Sequence, residues 1–142
     1  MPDNSQDRDS APYDAEIAKT KRMLSDPLTY AIIGAAQKVH RALGPGFRES
    51  TYQQALAKEL MDREVPFASQ PQYEVLYEGV LCGTYQPDMV VRDEVVIEIK
   101  AVSRLSGEHK GQTISYLRAS GLPTALLLNF GSRSLEWRRF KN

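Results

Sequence analysis

Apolar residues recur at positions 28, 32, 35, 36, 39 and 43 of the stretch LTYAIIGAAQKVHRAL, the spacing of one helical face. Asp26 and Pro27 stand directly before it, an N-cap followed by a proline at the first helical position. Gly44-Pro45-Gly46 closes the run. A second helix is predicted over about 48–63, with Tyr52, Leu56 and Leu60 on one face, and Pro66 ends that region. From Val65 the period changes. Residues 72–77 and 80–85 alternate around a Glu78-Gly79 turn, and 88–92 and 95–100 are dense β-branched runs around a charged turn. A third helix is predicted over 106–119, opened by Ser106 or Gly107 and closed by Gly121 and Pro123. The apolar run 124–129 reads as a central buried strand, and 134–140 as a final strand at an edge. This order predicts an α/β fold with a mixed central β-sheet flanked by α-helices.

Residues 1–26 are set apart from this pattern. Positions 1–12 have no apolar period, and 14–24 carry at most a short, weakly amphipathic helix, so a disordered or loosely helical tail is expected. Residues 27–142 would then form a single domain. At 142 residues the chain is long enough for a substantial core. No stretch reaches the roughly 18 apolar residues of a membrane span, and the polar, acidic start is unlike a signal peptide. The single cysteine, Cys82, excludes an internal disulfide and is expected to be a buried small hydrophobe. A cytoplasmic protein is expected.

The 18 basic and 18 acidic side chains balance, which argues against a broadly basic nucleic-acid-binding coat. The balance is uneven along the chain. Residues 100–142 hold eight basic and two acidic side chains, a net of +6, against −2 over 1–27 and −4 over 28–99.

If Arg92-Asp93-Glu94 is a hairpin loop, Asp88 lies opposite Glu98, with Cβ atoms about 5 Å apart. Lys100 points to the same face, while Met89, Val91, Val95, Ile97 and Ile99 point to the other. Two carboxylates set together in an apolar sheet repel each other and lose hydration, and a hard divalent cation, magnesium or manganese, relieves both. An acidic residue and a lysine at this spacing also occur on ordinary strands with a solvated face. The apolar density of VVIEIK and DMVV sits badly with such a wet edge.

Several motifs in order resemble one family. His40-Arg41-Ala42-Leu43-Gly44-Pro45 precedes Gly46-Phe47-Arg48-Glu49-Ser50-Thr51-Tyr52, which matches the GxxExxY signature. Gln86-Pro87-Asp88 and Glu98-Ile99-Lys100 resemble the P-D and E-x-K parts of the PD-(D/E)xK nuclease superfamily. The segment His109, Gln112, Tyr116 is similar to the helix of its RecB-like branch. The resemblance spans about residues 28–131 and implies a restriction-endonuclease-like core.

It further implies a metal-dependent phosphodiesterase that hydrolyses DNA, or RNA, through a metal-activated water, with Mg2+ or Mn2+ as cofactor. DNA is favoured over RNA, no membrane is involved, and a protein partner or homo-oligomer fits the small size. The metal ligands would be Asp88, Glu98, the Ile99 carbonyl and Glu49, with Lys100 positioning the attacking water. Tyr52, Gln112 and Tyr116 would line the site or touch substrate.

Each residue also has a plainer reading. Glu49 suits a helix N-terminus, Tyr116 could pack in the core, and His40 could cap its helix. His109 could be a surface residue. Trp137 and Phe140, interleaved with Arg133, Arg138, Arg139 and Lys141, could hold phosphates and bases or form a solvated basic edge. Tyr73, Tyr77 and Tyr85 are expected to pack on the sheet. A nuclease-fold nucleic-acid-binding or regulatory module that does not cut is the alternative function.

Overall fold

A computed structural model describes residues 26–142. The expected tail and the short helix at 14–24 lie outside the described residues. The described residues form three helices and seven strands in order: α1 (Pro27–Leu43), α2 (Glu49–Asp62), β1 (Phe67–Ser69), β2 (Tyr73–Tyr77), β3 (Val80–Tyr85), β4 (Met89–Val91), β5 (Val95–Lys100), α3 (Gly107–Ser120), β6 (Thr124–Asn129) and β7 (Glu136–Lys141). The chain divides into two units, Met1–Ile33 and Gly34–Asn142, with the boundary inside α1. All strands, α2 and α3 belong to the second.

Asp26 caps α1 as its position suggested, its carboxylate accepting from the Thr29 amide (3.3 Å) and the Thr29 hydroxyl (2.7 Å). At the other end the Gly44 amide donates to His40 O (2.8 Å). Gly44 and Gly46 take φ of 68° and 116°, left-handed values that glycine adopts without Cβ strain.

The main sheet has the order β1-β4-β5-β6-β7. Only β5 and β6 run parallel, joined through α3, so the sheet is mixed as expected. β4 and β5 pair Met89 with Ile97, Val90 with Val96 and Val91 with Val95, the register inferred from the turn. Arg92 and Asp93 both have positive φ (54° and 55°), and Glu94 N donates to Val91 O (2.9 Å). β6 is buried along its whole length, and β7 is an edge strand.

The pleat sends Met89, Ile97, Leu126 and Leu128 to one face, where Phe130 stacks on Tyr52 of α2 at 4.7 Å. On the other face Val90, Val96 and Ala125 cluster with Leu117 of α3, with Tyr73, Leu122 and Phe140 packed against them. Glu98 and Lys100 share this second face.

Three expectations need correction. β1 adds a strand that pattern reading did not place, because three residues are too few to show a period. β2 and β3 form a separate two-stranded sheet rather than joining the main one. Their tip therefore has no sheet to pack on: Leu76, Tyr77, Val80 and Leu81 are each more than half exposed. Cys82 is exposed as well, not buried. It is the extra residue where the register shifts from Val75–Gly83 to Leu76–Leu81.

Candidate active site

Asp88 lies one residue before the β4 ladder and is held by its neighbours. Its carbonyl accepts from the Gln70 amide (3.0 Å) and from Gln53 Nε2 (3.1 Å). Its carboxylate Oδ2 accepts from the Ile99 amide at 2.6 Å, which fastens it to β5. Glu98, also on β5, is 5% exposed, and its Oε1 has no hydrogen-bond partner.

Burial pushes the Glu98 carboxyl up to about 8, the Asp88 charge adds to the rise, and Lys100 opposes it. Asp88 is also raised, first by burial, with the Ile99 amide lowering it and Glu49 raising it further. Glu49 opens α2, is exposed, and acts electrostatically on both carboxyl groups.

A buried carboxylate oxygen without a donor calls for a proton or a cation. Hard oxygen donors suit a divalent ion, so the residues fit one. Among the described residues, however, no group of three or more His, Cys, Asp or Glu is gathered to hold a metal ion. Glu49 therefore does not join Asp88 and Glu98 in a preformed three-ligand cluster. Ile99 is tied to Asp88 through its amide.

Lys100 Nζ donates to Gln112 Oε1 (3.3 Å), and Gln112 Nε2 donates to the Tyr116 hydroxyl (3.2 Å). The lysine is thus linked to two α3 residues one turn apart. Burial first, and then the Glu98 charge, raise the Tyr116 phenol. Tyr116 stacks on Tyr85 (4.5 Å), which stacks on Tyr73 (5.5 Å). The Tyr85 hydroxyl donates to Tyr116 O at 2.8 Å and pins β3 to α3, while burial pushes that phenol up to about 12.

Other residues singled out in the sequence lie elsewhere. Tyr52 is fully buried, its hydroxyl donating to Gly44 O (2.6 Å) and accepting from Phe47 N (3.2 Å), so it holds the turn before α2 and presents no surface to a substrate. His109 caps α3: its Nδ1 accepts from Ser106 N, and its amide donates to Ser106 Oγ. His40 Nε2 meets Ser132 O at 2.9 Å, tying the end of α1 to the loop before β7. Tyr73 and Tyr85 pack as expected, but Tyr77 is 68% exposed. Phe140 packs into the sheet cluster, whereas Arg138 is exposed beside Glu136.

The residues that brace the site leave little trace in the sequence pattern. Asn129 is fully buried, and its amide group donates to Val102 O (2.9 Å) and Glu136 Oε1 (3.1 Å). Its Oδ1 accepts from Val102 N (2.9 Å) and Gly131 N (3.0 Å). Glu136 Oε1 also accepts from Leu105 N (3.0 Å). Together they clamp the loop that leaves Lys100. The available signal was one amide side chain closing an otherwise apolar strand, TALLLN. Gln53 gave only its spacing from Glu49.

A carboxylate pair at a strand end, a lysine on the same strand face and a mixed sheet between helices define the nuclease-type core the motifs implied. A model of the PD-(D/E)XK nuclease superfamily matches residues 26–140. The chain belongs to that superfamily, whose members generally use divalent metals and act on nucleic acid.

Among solved structures it is similar in fold to the crystal structure of SSO0001, with 18% identity, a TM-score of 0.50, and 66% of this chain and 49% of that one covered. It also matches an alkaline exonuclease, LHK-Exo, from Laribacter hongkongensis, at 11% identity and a TM-score of 0.46, covering 61% of this chain and 52% of that one. The chain thus spans about half the length of either. No curated protein matches. No helix among the described residues is long and apolar enough to cross a membrane.

Proposed function

We propose that the chain is a divalent-metal-dependent phosphodiesterase that hydrolyses a nucleic-acid backbone, DNA in preference to RNA. We place it with the GxxExxY proteins in the RecB-like branch. The observation that carries this reading is Glu98 Oε1, buried without a partner beside the Asp88 charge on a strand that also bears Lys100. Asp88 and Glu98, with the Ile99 carbonyl and Glu49, would hold Mg2+ or Mn2+. Bound there, the ion would supply Lewis-acid activation of water and neutralise charge on the phosphate.

The chain's own residues do the rest. Asp88 and Glu98 fix the reaction centre at the end of β4 and the middle of β5. Lys100, oriented by Gln112, meets the negative charge that grows on the phosphoryl oxygens in the transition state. Tyr116 steadies Gln112.

The alternative reading is a nuclease-fold module that binds nucleic acid without cutting it. Manganese titration separates the readings. At millimolar manganese the intact chain should melt about 5 °C higher, as expected for an ion bound well below that concentration. Asp88→Ala should abolish the rise. An intact chain whose melting temperature ignores manganese counts against a metal site.

A further inference from the structure

Asp88 occupies a weakly supported place in the backbone. It precedes the β4 ladder, which begins at Met89, and it follows Pro87, which has no amide proton to donate. Its carbonyl is nevertheless doubly held, by the Gln70 amide at 3.0 Å and by Gln53 Nε2 at 3.1 Å. Gln70 is itself tied back, its carbonyl accepting from Gln86 Nε2 at 3.3 Å. Of the two donors, Gln53 alone is a side chain, and it comes from a different layer of the fold.

Gln53 stands four residues after Glu49 on α2, so the two share one face of the helix. The helix that carries Glu49 is thereby fastened to the residue that carries the carboxylate of Asp88. Resting on the metal-site reading above, we infer that Gln53 is a positioning residue. Its amide sets the distance between the Glu49-bearing helix and Asp88, so that Glu49 can close on an ion held by Asp88 and Glu98.

The hydrogen bond suits this work. It runs to the backbone carbonyl of Asp88 and not to its carboxylate, whose Oδ2 accepts from the Ile99 amide. An acidic side chain at position 53 would turn an acceptor toward that carbonyl and add a negative charge next to Asp88. Glutamine supplies the reach and the donor without the charge. Gln53 is partly exposed, so its role does not rest on filling the core.

The test uses the full chain and two near-isosteric variants, Gln53→Met, which keeps the volume and removes the donor, and Gln53→Glu, which also adds charge. Without metal, amide exchange at Gln70 should rise about tenfold in Gln53→Met and the Ile99 amide resonance should move, while the melting temperature stays within about 2 °C. Manganese titrated alone by calorimetry should bind about tenfold more weakly to Gln53→Met, the scale of loss for partners that orient metal ligands. Gln53→Glu should lose at least as much.

A Gln53→Met chain that matches the wild type in both exchange and manganese affinity overturns the inference and leaves the nuclease reading standing. A wild-type chain that binds no manganese overturns both.

Discussion

Glu98→Gln is expected to stabilise the metal-free protein at pH 8 by about 2–4 kcal/mol and to leave it nearly unchanged at pH 4.5. The folded chain holds the Glu98 proton up to about pH 8, against 4.5 for the ordinary carboxyl, with burial as the first cause. Below pH 4.5 both folded and unfolded chains are protonated, and the group makes no difference to stability with pH. Between 4.5 and 8 the unfolded chain binds fewer protons, so stability falls as pH rises. Asp88, also raised by burial, adds to the fall from the low end of that window. Glutamine keeps the shape of the protonated form and carries no charge, which removes the loss. Denaturant midpoints at several pH values in the presence of a chelator measure it. A Glu98→Gln chain equally destabilised at every pH would mean that the carboxylate is satisfied where it sits.

Gly131→Ala should be as damaging as Glu98→Gln is stabilising. A Cβ at this position meets the backbone N and O of Val102 and lies 2.6 Å from Ala101 C. These are main-chain atoms of the loop that leaves Lys100, and they cannot rotate away. The same loop is fixed by Asn129 through the Val102 amide and carbonyl, and by Glu136 through the Leu105 amide. Relief of the clash must break part of that clamp, at a cost of about 3 kcal/mol and a melting temperature about 10 °C lower. Because Phe130 N donates to Lys100 O at 2.9 Å, the end of β5 should move with the loop. Thermal melting with and without manganese measures both consequences: a lower transition, and a smaller response to the ion. A Gly131→Ala chain that melts like the wild type would show that the two segments separate freely.

The parts legible in the sequence were those governed by local rules. Asp26-Pro27 announced α1, and the spacing of Val91 and Val95 around a three-residue loop set the β4–β5 register. With that register came the shared face of Glu98 and Lys100. Residues whose partners are distant in the chain were not legible. Tyr52 carries a motif position, yet its hydroxyl serves Gly44 and its ring stacks on Phe130, 78 residues on in sequence numbering. Gln53 bonds a carbonyl 35 residues away, and Asn129 a loop 27 residues back. The β2–β3 hairpin alternates like a half-buried pair, but alternation does not say which sheet a strand joins, and here it stands in its own. Cys82 and Tyr77 are exposed for that reason.

The proposed hydrolytic role of Asp88, Glu98 and Lys100 stands or falls on cleavage of nucleic acid. It is tested most directly by incubating the intact chain with labelled single-stranded, duplex and branched DNA and RNA in manganese, beside Glu98→Gln and Lys100→Ala. Products are expected that require the metal and fall by about 100-fold or more in both variants. Salt-sensitive binding without products, or cleavage undiminished in Glu98→Gln, would contradict it.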